Sequence, residues 1–127
     1  MRFMKWLKGV QTSFSHAWRG LRLAFASERS FRIQVAVAMV VILLVCLVPF
    51  RSWERIILLV ATSAVLVLEL LNSTVERLVD LFKPRLHPYV RDVKDLMAGA
   101  VLVASIFALI VGLMVFWPYL GIVLGTL

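Results

Sequence analysis

The sequence predicts an all-α membrane protein with an N-terminal amphipathic surface helix and three transmembrane helices. Three observations predict it. Hydrophobic residues make up 62% of the chain and charged residues 17%, against roughly 45–50% and about a quarter in soluble domains. The charges lie in blocks separated by long uncharged runs. The excess of base over acid, 14 Lys and Arg against 7 Asp and Glu, falls mostly on alternate sides of those runs. A length of 127 residues fits a single domain over 1–127 and is too short for a multidomain enzyme.

The surface helix is expected over about 3–26. Phe3, Leu7, Val10, Phe14, Ala17, Trp18, Leu21 and Phe25 recur at three- and four-residue steps. Arg2, Lys5, Lys8, Thr12, Ser15, Arg19 and Arg22 recur on the other side, the pattern of a helix lying in the headgroup region with its basic face toward phosphates. A simple positively charged anchor would show the same pattern. The first span, about 31–50, contains Ile33 to Phe50 without a charge, enough to cross the hydrocarbon layer, which takes about 17–25 helical residues. It follows some thirty residues of polar and amphipathic sequence and has no small-residue cleavage pattern behind it, unlike a signal peptide. The lone Cys46 within it reads as a packing residue.

The second span, about 55–80, is apolar from Ile56 to Leu71 apart from Glu69, and the third, about 95–117, has no charge from Leu96 to Trp117. Ala100, Ala104, Ala108 and Gly112 form a small-residue stripe in the third span, read as a packing surface. The tail from Leu120 is too short for a fourth crossing. Basic residues crowd the N-terminus and the 77–95 loop, so both are expected in the cytoplasm, with the 49–55 turn and the C-terminus outside. Trp53, Trp117 and Tyr119 then fall at the outer interface, where aromatic belts occur. Because the basic residues flank spans and form no continuous surface with interleaved aromatics, nucleic acid is not expected as a partner.

The cytoplasmic half of the second span carries the chemistry. Glu69, Asn72, Ser73, Glu76 and Asp80 fall within an arc of about 100° on a helix, a polar seam on an otherwise apolar rod. Glu69 lies roughly 10 Å deeper than Glu76 at about 1.5 Å per residue. An ionisable group at that depth is expensive to bury and marks a functional site more often than a structural one. Glu69 alone fits a small proton-coupled transporter equally well. The other acids favour an enzyme: Glu28, Glu76, Asp80, Asp92 and Asp95 gather at one membrane face beside Arg29, Arg32 and Lys94. Carboxylates with basic neighbours are the materials of a magnesium–polyphosphate site. The six glycines never fall into a phosphate-loop spacing, so a nucleotide must be held by metal, side chains and helix ends.

These same residues carry a resemblance. Glu28-Arg29-Ser30-Phe31-Arg32, the run Glu69-Leu70-Leu71-Asn72-Ser73-Thr74-Val75-Glu76-Arg77-Leu78-Val79-Asp80, and Lys94-Asp95 followed by Ala98-Gly99-Ala100-Val101-Leu102 resemble the bacterial integral-membrane diacylglycerol kinase and undecaprenol kinase family, over about Phe14 to Leu120. The resemblance implies a homotrimer in the bacterial cytoplasmic membrane with sites shared between neighbouring subunits. It implies transfer of the γ-phosphate of ATP, as its Mg2+ complex, to the primary hydroxyl of a membrane lipid alcohol. By the same resemblance Glu69 is the general base and Asn72 orients it. Glu28 and Glu76 are metal ligands at the triphosphate, and His16, Asp80, His87, Lys94 and Asp95 also surround the nucleotide. Ser15, Trp18, Glu69 and Ala98 are implied at the lipid.

Gly9, His16 and Gln34 depart from the Gram-negative diacylglycerol kinase pattern, which carries Arg, Tyr and Glu there. His16-Ala17, the run from Glu28 to Ile33, and His87-Pro88 look like the undecaprenol kinase branch. Undecaprenol is therefore the first expected substrate and diacylglycerol the second.

Overall fold

The structure, a computed structural model, describes residues 1–82 and 88–125. Its main helices are α1 (Arg2–Ser27), α2 (Arg29–Leu47), α3 (Ser52–Asp80) and α4 (Pro88–Phe116). A 3₁₀ turn, Trp117–Tyr119, and a last turn of helix, α5 (Leu120–Val123), follow. Among the described residues three helical segments are long and apolar enough to cross a membrane: α2, α3, and α4 with its continuation to Val123. The helices extend beyond the apolar runs. α3 starts three residues before the expected 55, and α4 starts at Pro88. Pro suits a first helical position because its missing N–H had no intrahelical partner to bond.

α3 is the central helix, packed most extensively against α4 and next against α2. Its buried face, Leu58, Val65, Glu69, Ser73 and Val79, repeats at helical spacing. α2 buries Phe31 and Ala38, seven residues apart and so on one side of the helix. Most other large apolar residues of the chain are exposed, the inverse of a water-soluble fold and the arrangement a hydrocarbon solvent allows. Cys46 is among the exposed residues, so it does not pack within the chain as its apolar setting predicted.

Two joints set the geometry. Glu28 is extended (φ −109°, ψ 111°) and separates α1 from α2. Arg32 closes this elbow by donating from one guanidinium nitrogen to the carbonyls of Phe25 (3.3 Å) and Ala26 (3.1 Å). A cation on the last carbonyls of a helix satisfies acceptors that otherwise lack partners and complements the helix dipole. Arg32 is thus engaged in the elbow, where the sequence suggested a phosphate neighbour.

The second joint lies at the opposite end of the helices, where Val48, Phe50, Leu58 and Val115 form a core cluster. Glu54 is buried there and accepts hydrogen bonds from the Arg51 backbone N–H (2.8 Å) and the Tyr119 hydroxyl (2.6 Å). The first satisfies the N-cap backbone N–H of α3 with the side chain of the third helical residue. Tyr119 also meets Phe50 edge-on at 4.9 Å. Tyr119 therefore ties the C-terminal end of α4 to the α2–α3 turn, a contact beyond its expected place in an aromatic belt.

The small-residue stripe of α4 borders open space in the single chain. Ala108 and Gly112 line a cavity of about 400 Å³ between α2, α3 and α4. No heavy atom lies within 4 Å of where a Cβ on Gly112 would stand, so this glycine serves no close helix approach within the chain.

Candidate active site

The seam on α3 runs from the interior to the surface as its spacing predicts. Glu69 and Ser73 are buried at 5% and 6% exposure, Asn72 and Glu76 are half-buried, and Asp80 is exposed. Each step along the seam is four residues or fewer, so the side chains neighbour one another along one face. Asn72 donates from Nδ2 to Glu76 Oε1 at 3.3 Å. Its other polar atom, Oδ1, is buried with no hydrogen-bond partner among the described residues. An acceptor held dry and unpaired is costly and rare in native folds.

Glu69 accepts a hydrogen bond at Oε2 from the Ser30 hydroxyl, 3.1 Å away. Ser30 is the second residue of α2, immediately past the elbow. Sequence spacing could not single it out, because 39 positions separate the two residues and the contact exists only once α2 packs on α3.

The same elbow brings Glu28 to the α3 seam. Arg77, next to Glu76 in sequence, donates to Ser27 Oγ at 2.6 Å and pairs with Glu28 at 3.6 Å. Glu28 thus stands by the surface end of the seam. Across from it, Lys94 on α4 donates to Asp80 Oδ1 at 2.8 Å. Residues of the α1–α2 elbow, α3 and α4 thereby meet at one end of the helices.

Other sequence-predicted residues stay apart. Ser15, His16 and Trp18 on α1, and Asp95 and Ala98 on α4, are exposed. Asp95 pairs with Arg91 one turn away, at 4.0 Å. No hydrogen bond or ion pair joins these five to the seam among the described residues. His87 lies outside the described residues. Among the described residues no group of three His, Cys, Asp or Glu side chains converges as a metal cage. The carboxylates instead lie along a line, with cations between and beyond them.

A carboxylate buried on an apolar helix, with a row of acids leading out to a basic rim, can take a proton from a hydroxyl at the interface and hold a polyphosphate above it. Comparison with known proteins gives the same class. Residues 15–116 match the family model described as prokaryotic diacylglycerol kinase. The chain is 37% identical over 108 residues to an undecaprenol kinase of Bacillus subtilis (strain 168), covering 85% of this chain and 88% of that one. It is 40% identical over 101 residues to a diacylglycerol kinase of a Synechocystis species, covering 79% of this chain and 58% of that one. With the diacylglycerol kinase of Escherichia coli (strain K12) the identity is 29% over 106 residues, 84% of this chain and 87% of the relative. Three membrane-length helices, the acidic seam and these matches together make this chain a member of the prokaryotic diacylglycerol kinase family, an integral-membrane, ATP-dependent lipid kinase.

Proposed function

We propose that the chain phosphorylates undecaprenol, giving undecaprenyl phosphate, by in-line transfer of the γ-phosphoryl group of MgATP. The observation that carries this reading is the buried Glu69 at the deep end of a polar seam whose surface end meets Glu28, Asp80 and Lys94. The acceptor hydroxyl sits at Glu69, its isoprenoid tail stays in the bilayer, and the nucleotide stays on the aqueous side. Glu69 takes the hydroxyl proton as the lipid oxygen bonds to the γ-phosphorus. The bond between that phosphorus and the β–γ bridging oxygen breaks, and ADP leaves.

The residues fit a magnesium ion bound together with phosphates. Mg2+ characteristically takes only one or two protein carboxylates and completes its shell with water and phosphate oxygens. Glu28 and Glu76 supply such a pair, and no third protein ligand is needed. The unpaired Asn72 Oδ1 beside Glu76 is an acceptor with capacity left for a bound group. The ion would offset negative charge on the transferring phosphoryl group. Asn72 holds Glu76 and orients the acceptor end of the seam, while Lys94 and Asp80 flank the nucleotide. His16, His87 and Asp95 complete the nucleotide side. Ser15, Trp18 and Ala98 contact the lipid.

Ser15, His16, Trp18, Asp95 and Ala98, exposed and with no hydrogen bond or ion pair to the seam of their own chain among the described residues, support a homotrimer in which a neighbouring subunit closes each site. The basic N-terminus and the 77–95 segment lie on the cytoplasmic side of the bacterial inner membrane, with α1 along the interface. Diacylglycerol is the second reading, favoured by its place as the named substrate of several relatives.

The test is purified protein in bilayers with MgATP and either labelled undecaprenol or diacylglycerol. Faster phosphorylation of undecaprenol is the expected result, and a higher rate with diacylglycerol reverses the substrate assignment. Omission of Mg2+ should abolish turnover with both.

A further inference from the structure

Glu69 is 5% exposed, and its two oxygens have different surroundings. Oε2 accepts the Ser30 hydroxyl at 3.1 Å, and Oε1 accepts no hydrogen bond from a described residue. We infer that Ser30 is a positioning residue for the phosphoryl transfer: its hydroxyl holds Oε2 of Glu69 so that Oε1 faces the acceptor alcohol. The inference rests on the reading of Glu69 as the base.

A glutamate on a helix has three rotatable side-chain bonds, and a buried one without a donor settles wherever a chance partner is found. A hydrogen bond to an ionised carboxylate is shorter and stronger than a neutral one and carries directional preference. The Ser30 hydroxyl supplies one such bond and leaves the second oxygen open. Its place in the chain adds a linkage. Ser30 follows the Glu28 elbow by two residues and lies two before Arg32, which pins that elbow to the end of α1. Movement of the elbow would shift Glu28 and the donor to Glu69 together. Base and metal ligand are thereby registered to one rigid joint although they sit on different helices.

Ser has a competing local use at this position. Near a helix start its hydroxyl commonly bonds a neighbouring backbone N–H. The Ser30 hydroxyl turns instead to a side chain 39 residues away, and α2 begins with no side-chain cap. The contact across helices takes precedence over the local one.

The experiment compares Ser30→Thr with Ser30→Val, nearly equal in shape and different in the hydroxyl, in the full-length protein in bilayers. Steady-state rates are measured against ATP and against whichever of undecaprenol and diacylglycerol the parent phosphorylates. Loss of precise orientation of a catalytic group is expected to lower kcat by about tenfold in Ser30→Val. KM for both substrates should be unchanged, and Ser30→Thr should retain most of the parent rate. Equal kcat in the Thr and Val variants overturns the proposal, as does a Val effect confined to KM. Should Ser30→Val fail to fold, Ser30→Ala takes its place under the same criteria. Glu69→Gln, run in parallel, separates the two levels of the argument. Full turnover in Glu69→Gln removes the base assignment itself, whereas an inactive Glu69→Gln with a fully active Ser30→Val removes only the role of Ser30.

Discussion

At the residue scale, the chain concentrates its chemistry in few side chains and commits others to holding them. Glu69 differs from the six other acids in combining near-complete burial with a place inside a span expected from sequence. Under the proposed base assignment, Glu69→Gln keeps the shape and removes the proton acceptor, so kcat should fall by 100-fold or more, as general-base deletions typically cause by about 10²–10⁴. The melting temperature should be nearly unchanged, because Gln still accepts from Ser30. Lys94 acts at the other end. Its ammonium ion bonds Asp80, and in the proposed function it adds a point charge toward phosphate. Lys94→Ala should raise KM for ATP by about tenfold, the range of a charge-assisted contact, and leave KM for the lipid alone. Kinetics at varied ATP and lipid check both changes. Depth and periodicity made Glu69, Asn72, Glu76 and Asp80 legible in the sequence. Ser30 was not, because a serine near a helix start has an ordinary local explanation and its partner lies on another helix.

Between elements, two fastenings hold the helices in register, one at each end. At the site end Arg32 and Arg77 hold the α1–α2 elbow to its helix and to α3. At the far end Glu54 links the α2–α3 turn to Tyr119. Removing the Tyr119 hydroxyl leaves a buried carboxylate with one donor fewer, an unfavourable change because a desolvated charge needs its partners. Tyr119→Phe should therefore lower the thermal midpoint measurably while kcat stays at the parent value, since the link lies at the opposite end of α3 from the seam. A melting curve paired with the kinase assay checks this. The spans themselves were read from uninterrupted apolar runs. Their ends were not, since helices continue past the apolar segment into the interface: α4 includes Arg91, Asp92, Lys94 and Asp95. Hydropathy reports where lipid begins, and hydrogen bonding decides where a helix ends.

Taken as a whole molecule, the single chain is open. Among the described residues nine apolar ones are buried and most large ones face outward. Besides the cavity bounded by Gly112, an open hollow of about 940 Å³ lies beside α4, lined by Asp95, Gly99 and Ala104 with Leu68 of α3. Ser15, His16, Trp18 and Ala98, proposed at the lipid and the nucleotide, are exposed. Under the trimer proposal, inactive Trp18→Ala and Glu69→Gln chains co-assembled in one membrane should regain turnover, because some sites then draw intact residues from different chains. Crosslinking should stop at three copies. Persistent inactivity of the mixture, with trimers formed, would place Trp18 and Glu69 in the same chain's site.

The number of membrane-length helices, the acidic seam on the second of them and the family are legible along the chain, because each is a one-dimensional pattern. Apolar runs follow bilayer thickness, a helical face follows 3.6 residues per turn, and the family motif is contiguous. Which groups those patterns meet emerges from the packing of the helices. Ser30 holds Glu69, Arg32 closes an elbow, Cys46 faces outward, and Glu54 receives a hydroxyl 65 residues away. The physical reason is that hydrogen bonds are short and directional. Which donor reaches which acceptor depends on how helices are rotated and joined, and no periodicity along the chain records that.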